Sequence, residues 1–315
     1  MTGPVAGAVT GGAPAAAAPA DTTALGDVLR AARRRFSVEL SPPHDEAGAA
    51  RQWEAVRRLE ELRPVFASVT YGAGGGDQDG TVELAGRLRR ETGVRPLAHL
   101  TAVGQPADAL REVLRRLRGA GVGDVLALRG DPHGDPRAPW RPHPRGLEHA
   151  DQLVRLARAE GAVSVGVAAF PLGHPESPDL DADTRHLAGK LRAGADFAIA
   201  QLCFDVEEFL RLRDRLARTA PDLAGVPVVP GLLPVTSPRV LEVTRRLTGD
   251  HEPSWLQRRL EPLLDDRGAF REEGLEVALE AGQRLLAEGE QVLHLYSLNS
   301  SGAVERLVGE LGLAG

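Results

Sequence analysis

Cysteine, methionine and aromatic residues are all scarce in this chain of 315 residues. Cys203 is the only cysteine, so a disulfide within the chain is impossible and cysteine-rich metal sites are excluded. We therefore expect a reducing, cytoplasmic location, and we interpret Cys203 as a small buried apolar residue rather than a nucleophile. The nine histidines are dispersed and form no HxxxH or similar pair, so the sequence predicts no metal site.

Long apolar runs are also missing, and none approaches the roughly 20 residues that a helix needs to cross a bilayer. The opening segment has no basic start and no leucine-rich core, which makes it a poor signal peptide. Because its Ala, Gly and Pro residues offer little to bury, we expect residues 1–22 to form a disordered tail. The net charge of −6 and the pI of about 5.9 argue against a nucleic-acid-binding protein, which would carry a basic surface. The sequence thus predicts neither a membrane nor a nucleic acid as partner.

Short β-branched runs alternate with helical patterns from residue 36 to the end, which is typical of repeated βα units. Eight runs have the character of strands: FSVEL, VFASVT, PLAHLTA, DVLAL, SVGVAAF, FAIAQ, VPVVPG and QVLHLYSL. The segment between the last two, about 238–290, is longer than one helix requires and predicts two or three helices. The predicted fold is therefore α/β, a single (β/α)8 TIM barrel over residues 23–315.

Most of the reactive-looking side chains fall at or just past the C-terminal ends of these strands. They include Glu39, Thr70, Tyr71, His99, Asp131, Phe170, His174, Gln201 and Asn299. In a parallel barrel those ends converge on one mouth, where the strand-to-helix loops build the active site. The segment at 132–146 is rich in Pro, Gly and charge, and we expect it to form a long loop over that mouth. The pattern therefore predicts an enzyme.

Seven short sequence strings follow one another along the chain. They are SVTYGAGG at 68–75, AHLTAVG at 98–104, LALRGDP at 126–132, HPES at 174–177, AGADFAIAQLCFD at 193–205, VPVVPGLLPV at 226–235 and HLYSLN at 294–299. In order and wording they resemble the methylenetetrahydrofolate reductase family, from about Phe36 to Leu311. The family consists of flavoprotein TIM barrels, so the resemblance implies bound FAD and either NADH or NADPH as hydride donor. It implies ping-pong reduction of 5,10-methylenetetrahydrofolate to 5-methyltetrahydrofolate. The family often forms dimers or tetramers, which leaves a homo-oligomer open here.

The resemblance implies three catalytic and folate-binding residues, Glu39, Asp131 and Gln201. The folate ring must be protonated at N10 before it opens, and an acid in the VELSPP string, Glu39, would supply that proton. Its alternative role is that of a salt-bridged strand carboxylate. Asp131 would lie near the flavin and the pterin, and its alternative role is a helix N-cap. Gln201 would bond the pterin or the nicotinamide carboxamide in turn, and its alternative is a structural glutamine.

For the flavin, the resemblance implies residues from strands two to five and from the helices that follow. They are Thr70, Tyr71, Ala73, His99, Leu128, Arg129, Gly130, Asp131, Ala150, Phe170, His174, Ser177, Asp183 and Lys190. Arg129 and Lys190 would counter the charge of the pyrophosphate. Taken singly, His99 would more often be a satisfied barrel histidine than a ligand contact. The glycines at 72–76 lack GxGxxG spacing, so we interpret them as letting the backbone approach the isoalloxazine ring.

Several positions depart from the family pattern, among them His149, Leu172, Gly189, Pro238 and Ser300. The sequence therefore leaves three hypotheses: a reductase with altered contacts, a paralogue that uses another hydride donor or performs a specialised biosynthetic one-carbon step, and a catalytically silent folate-binding or partner subunit. The choice between NADH and NADPH stays open.

Overall fold

The computed structural model describes residues 21–43, 45–71, 78–132, 138–248 and 254–314. Ala73 and nearly all of the predicted tail lie outside these ranges. Eight parallel strands close into a barrel in which each strand pairs with the next and the eighth pairs with the first. The strands are β1 Arg35–Leu40, β2 Ala67–Val69, β3 Pro96–Thr101, β4 Asp124–Leu128, β5 Ser164–Ala169, β6 Phe197–Ala200, β7 Val228–Leu232 and β8 Val292–Tyr296. The predicted (β/α)8 barrel is thereby confirmed.

Helices surround the barrel and follow the strands in alternation. Those in the described residues are α1 Leu25–Ala31, α2 Glu46–Glu61, α3 Gln78–Glu91, α4 Ala107–Gly119, α5 Ala150–Ala159, α6 Leu180–Arg192, α7 Val206–Thr219, α8 Pro238–Thr248, α9 Ser254–Leu260, α10 Arg267–Ala287 and α11 Gly302–Leu311. No helix in this part of the chain is long and apolar enough to cross a membrane. The same residues contain no cluster of three or more His, Cys, Asp or Glu side chains suited to a metal ion.

Strand alternation divides the buried residues between two surfaces of the barrel wall. On β1, Val38 and Leu40 face outward and join the large apolar core between strands and helices. Because successive strand side chains point to opposite faces, Ser37 and Glu39 face into the barrel. Interior residues at the other end of the barrel, such as Phe197, form a separate cluster. Polar side chains are therefore gathered in the barrel interior toward the mouth.

Helix α1 covers the end of the barrel opposite the mouth, a role that the sequence patterns did not predict. Leu25 and Leu29 are buried in the interior cluster, and the Leu25 N–H donates to the Ser164 hydroxyl at 2.8 Å. Near the same end, Asp124 accepts two hydrogen bonds from Arg95, at 2.5 and 2.8 Å. Asp124 is buried and Arg95 is mostly buried, so this end of the barrel is closed by packing and by an ion pair.

The segment between β7 and β8 contains three helices, α8 to α10, as its length predicts. Their apolar faces form a third cluster that includes Leu256 and Phe270. This cluster also takes in Phe204 and Leu233, which follow β6 and β7. The insertion thus packs beside the mouth on its β6–β7 side.

Gly274→Ala is expected to destabilise the protein by about 1–3 kcal/mol, because overpacking forces neighbouring backbone to move. A Cβ atom at this position of α10 would lie 1.9 Å from the carbonyl oxygen of Val235. Gly309→Ala in α11 is the matched control, since its Cβ would meet nothing within 4 Å. The control should stabilise by about 0.5–1 kcal/mol, the usual gain of Ala over Gly inside a helix. Chemical denaturation of both variants measures the difference, and equal midpoints would contradict the close packing of α10 on Val235.

Candidate active site

Glu39 lies near the end of β1, with its side chain inside the ring of strands. Its register neighbours are Ser68 on β2 and Tyr296 on β8. Its Oε2 atom lies 3.8 Å from Nε2 of His99 and 4.0 Å from Nε2 of His294, and its side chain is 22% exposed. No Lys or Arg of the described chain lies within ion-pair distance of this carboxylate. These contacts argue against the alternative of a salt-bridged strand carboxylate.

A buried polar network supports Glu39 from within the barrel. Nδ1 of His294 lies 2.8 Å from the Ser37 hydroxyl, and its Nε2 lies 3.5 Å from the Ser68 hydroxyl. The hydroxyl of Ser297 donates to the Glu39 carbonyl at 2.5 Å. Residues at the end of β8 therefore contact both the side chain and the backbone of Glu39.

Tyr296 adds an aromatic wall to this part of the mouth. Its ring meets His294 edge-on, with ring centres 5.3 Å apart. Burial raises the pKa of its phenol well above the usual range, and the nearby charge of Glu39 acts in the same direction. A Cβ at Gly231 would lie 2.9 Å from the tyrosine ring, so the glycine on β7 leaves the room that the ring occupies. Tyr296 is therefore a neutral phenol beside the carboxylate.

His99 is buried near the top of β3, and its Nε2 atom has no hydrogen-bond partner among the described residues. The ordinary interpretation of a satisfied barrel histidine therefore does not hold. Burial lowers its pKa from 6.5 to about 4, although the charge of Glu39 acts in the opposite direction. The Oγ1 atom of Thr101 is also buried with no partner in this part of the chain. Because such atoms cost free energy when unpaired, both are suited to a polar ligand group in the mouth.

The His99→Asn variant is expected to lose less stability than the wild type when the pH is lowered. Between pH 4 and 6.5 the unfolded chain binds a proton at His99 that the folded protein excludes, so the free energy of unfolding falls as the pH drops through this window. At about pH 5, one such histidine lowers the free energy of unfolding by roughly 1–2 kcal/mol. Urea unfolding at about pH 7.5 and about pH 5 measures the change, which should be smaller in the variant. An identical pH dependence in both proteins would show that His99 is not held neutral.

Arg129 lies just past β4 and joins two loops of the mouth. Its Nη1 atom donates to Oε2 of Glu176 at 2.5 Å, and its Nη2 atom lies 3.4 Å from Nε2 of His174. The guanidinium carbon lies 5.0 Å from the centre of the Trp140 ring, within cation–π range. The Trp140 indole N–H donates to the carbonyl of Gly130 at 3.0 Å. Arg129 thus connects the loop before α5 to the loop before α6.

The loop that follows β5 is held by buried groups on two helices. Oδ1 of Asp183, on α6, accepts from the His174 backbone N–H at 3.1 Å and from the Ser177 hydroxyl at 2.9 Å. Arg215, on α7, donates to the Pro171 carbonyl at 3.0 Å. Burial lowers the pKa of this arginine. Two predicted flavin residues, His174 and Ser177, are therefore fixed in place by a third, Asp183.

Lys190 and Phe170 lie together at the end of β5. The Lys190 ammonium donates to the Ala168 carbonyl at 2.5 Å and lies 5.8 Å from the centre of the Phe170 ring. Burial lowers the pKa of Lys190 to about 8, so it is still mainly protonated at neutral pH. The Phe170 ring also meets His174 edge-on at 5.1 Å. The mouth therefore holds a partly buried cation near the loop that Arg129 contacts.

Asp131 and Gln201 are both exposed beyond their strands. The described residues between Asp131 and His149 contain no helix, and α5 begins at Ala150, which argues against a helix-cap role for Asp131. The Gln201 backbone N–H donates to the Ala169 carbonyl at 2.9 Å, whereas its side-chain amide bonds no described residue. Both side chains are therefore available to a ligand.

The remaining predicted residues lie on the same rim or close behind it. Thr70 and Tyr71 follow β2, and the Thr70 N–H donates to the Leu40 carbonyl at 2.8 Å. Leu128 ends β4 and packs against the interior cluster. Ala150 is the first residue of α5. The contacts join Glu39 to His99 and His294, and they join Arg129 to the loop after β5. No contact between described residues joins Glu39, Asp131 and Gln201 directly.

Sequence reasoning missed several residues that shape this site: Ser37, Trp140, Glu176, Arg215 and His294. Two of them lie in strings that carried the resemblance, since Glu176 is in HPES and His294 is in HLYSLN. The two-residue spacing from His294 to Tyr296 could have identified His294 as a site residue, because both side chains then face into the barrel. Arg215 lies inside an amphipathic helix, where no sequence signal distinguishes it from solvated arginines. Cys203 is buried as predicted, and burial raises its pKa to about 12.

Known proteins resemble this chain in sequence and in fold. The family model described as methylenetetrahydrofolate reductase matches residues 24–312. The chain belongs to the methylenetetrahydrofolate reductase family. It is 34% identical over 267 residues to the 5,10-methylenetetrahydrofolate reductase of Pectobacterium carotovorum, covering 85% of this chain and 86% of the relative. It is 33% identical over 264 residues to the enzyme of the same name from Escherichia coli, covering 84% and 86%.

A solved structure from Clostridium thermocellum, described as an uncharacterized protein that binds two copies of 5-methyl-5,6,7,8-tetrahydrofolic acid, has a TM-score of 0.62 to this chain. It covers 88% of this chain and 93% of its own, at 14% identity. At that identity the similarity shows the shared barrel alone.

The family implies a flavin, and the residues at the mouth fit such a group. The clearest observation is that two buried polar atoms of β3, His99 Nε2 and Thr101 Oγ1, have no hydrogen-bond partner among the described residues. Arg129 and Lys190 supply positive charge on the adjoining strand ends, which suits a pyrophosphate. Gly130 has φ +79°, a conformation that favours glycine, and it brings backbone to the same rim.

Proposed function

We propose that this protein is a flavin-dependent reductase that converts 5,10-methylenetetrahydrofolate to 5-methyltetrahydrofolate with NADH or NADPH as hydride donor. Membership of the family supports the reaction, and one observation of this chain carries the proposal. It is the Glu39 carboxyl group, which lies inside the mouth without a basic ion-pair partner in the described chain and beside two histidines. A carboxyl group in this setting can exchange a proton with a ligand instead of being neutralised by a salt bridge.

Glu39 supplies the acid that the substrate needs. Protonation of N10 weakens its bond to the bridging methylene carbon, and the imidazolidine ring opens to an electrophilic N5 iminium. A flavin held at this mouth would supply the hydride for this carbon. The overall reaction consumes one NAD(P)H and one proton per folate, so Glu39 must be reprotonated in each cycle. The rings of His99 and His294 lie 3.8 and 4.0 Å from the carboxyl group, and the Ser297 hydroxyl holds the Glu39 backbone in place.

Asp131 and Gln201 serve to orient the substrates. The exposed carboxylate of Asp131 can accept hydrogen bonds from the amino edge of a pterin. The amide of Gln201 both donates and accepts, so it can bond either the pterin or a nicotinamide carboxamide. One residue can therefore orient two substrates that use the mouth in turn.

Arg129 and Lys190 are the residues that would hold the pyrophosphate, with His99 toward the ring system. Burial already removes part of the solvation of Lys190, so less is lost when it pairs with an anion. The buried Asp183 keeps the His174–Ser177 turn in the shape that the site requires. Trp140 and Phe170 flank the two cations and give this side of the mouth an aromatic lining.

Anaerobic half-reactions test the proposal. Purified protein, loaded with FAD if necessary, should lose its visible flavin absorbance on addition of NADH or NADPH. It should regain the absorbance when methylenetetrahydrofolate is added, with formation of methyltetrahydrofolate. Reduction by neither nicotinamide, with recovery by folate after chemical reduction, would favour a paralogue with another donor. Failure to bind FAD at all would contradict the proposed function.

A further inference from the structure

The guanidinium of Arg129 already has two hydrogen-bonding partners in the protein itself. A guanidinium carries five N–H donors in one planar fork, which suits bidentate binding of a phosphate or carboxylate. One end of this fork is bound by Glu176, the other faces His174, and the plane is covered by Trp140. Its side chain is only 21% exposed. A phosphate that binds the Nη1 end of this fork must therefore replace Glu176.

Glu176 is the partner that can leave. Its side chain is 49% exposed, so solvent can take up the released carboxylate. The hydrogen bond from Arg129 lowers the pKa of Glu176, which is therefore ionised at neutral pH and is a true anionic competitor. Asp183, the other carboxylate of this loop, is buried and already accepts two hydrogen bonds, so it is not exchangeable.

Trp140 can keep Arg129 in place during such an exchange. Its indole N–H is bonded to the Gly130 carbonyl, so the ring is anchored to the strand end independently of Glu176. Stacking on an aromatic face does not use the N–H donors of the fork. The guanidinium can therefore change its anionic partner without losing its position.

We propose that Glu176 is an internal competitor for anionic phosphate at Arg129, and that it sets the affinity of this site for phosphate-bearing ligands. The inference rests on the proposed function, since the ligand in question is the pyrophosphate of the flavin dinucleotide. It adds a specificity-determining residue to that site. The Glu176 side of the ion pair is half exposed, so solvent screens the pair and the competition is mild.

Flavin binding by Glu176→Gln tests the inference, because a gain of affinity cannot come from misfolding. The variant should bind FAD about two- to fivefold more tightly than the wild type, the factor that matches the loss of a partly exposed ion pair. Riboflavin, which has no phosphate, should bind both proteins equally. Glu207→Gln is the matched control, since Glu207 forms a half-exposed ion pair at 3.1 Å with Arg284 instead of Arg129. Flavin fluorescence quenching measures the affinity of each of the three proteins for FAD. It also measures the affinities of the wild type and of Glu176→Gln for riboflavin.

An unchanged or weaker affinity of Glu176→Gln for FAD would overturn the inference, and so would an equal gain for riboflavin. If the wild type binds no FAD, the proposed function fails, and inorganic pyrophosphate then decides the inference alone. Tryptophan fluorescence of the flavin-free protein reports pyrophosphate binding through Trp140. Tighter binding by Glu176→Gln supports the competition, whereas equal binding, or none by either protein, overturns it.

Discussion

Glu39→Gln is expected to lower the rate of folate reduction by about 10²–10⁴-fold while leaving reduction of the protein by the nicotinamide unchanged. The amide has the same size as the acid but cannot give a proton to N10. Hydride delivery from NADH or NADPH requires no acid, so the first half-reaction should proceed at the rate of the wild type. Stopped-flow measurement of each half-reaction separates the two steps.

Glu160→Gln is the matched control for this change. Its carboxylate is 23% exposed, close to the 22% of Glu39, and it lies 3.6 Å from Arg111 at the C-terminal end of α5. The control should leave both half-reactions unchanged, which excludes a general effect of losing one partly buried carboxylate. Normal folate reduction by Glu39→Gln would remove Glu39 from the acid role, and slow reduction by the nicotinamide would point to a damaged flavin site.

The barrel could be predicted because each strand buries both faces and reads as a short apolar run. The ends of strands were predicted less well where the backbone is unusual. The eighth run reads as a strand to Leu298, but β8 ends at Tyr296, because Leu298 and Asn299 adopt positive φ of 49° and 59°. Asn299 then bonds the backbone of Ser41 through both ends of its amide, at 2.9 and 3.0 Å. A local sequence pattern cannot predict a turn that is stabilised by a residue distant in the chain.

The candidate site, like the fold, could be predicted from the sequence only in part. The position of Glu39 at a mouth follows from the strand pattern alone. Its surroundings depend on closure of the barrel, because Ser37 and His294 are 257 residues apart in the chain and meet only where β1 pairs with β8. The engagement of Arg129 by Trp140 and Glu176 likewise depends on two loops meeting. Sequence therefore proposes candidate residues for the chemistry, while their charge state and accessibility require the packed structure.

Asp124→Ala is expected to be among the most destabilising changes, at about 3–5 kcal/mol, since it leaves a buried guanidinium without its main partner. Arg95 is 11% exposed and Asp124 only 4%, and two hydrogen bonds join them. In the variant, Arg95 retains a long hydrogen bond to the Ser164 hydroxyl at 3.3 Å and a weak contact with Asp21 at 3.8 Å. The pair lies at the N-terminal end of β4, opposite the mouth, where residues of a barrel contribute to stability rather than to catalysis.

Chemical denaturation measures this loss, and flavin content per folded molecule should stay normal. Glu91→Ala, which removes the exposed partner of Arg87 at 3.2 Å, should cost less than about 0.5 kcal/mol. The double variant Arg95→Met/Asp124→Leu should recover most of the stability, because an apolar pair of similar volume escapes the desolvation cost of two buried charges. A double variant that is no more stable than Asp124→Ala would mean that packing at this end of the barrel, rather than an uncompensated charge, accounts for the loss.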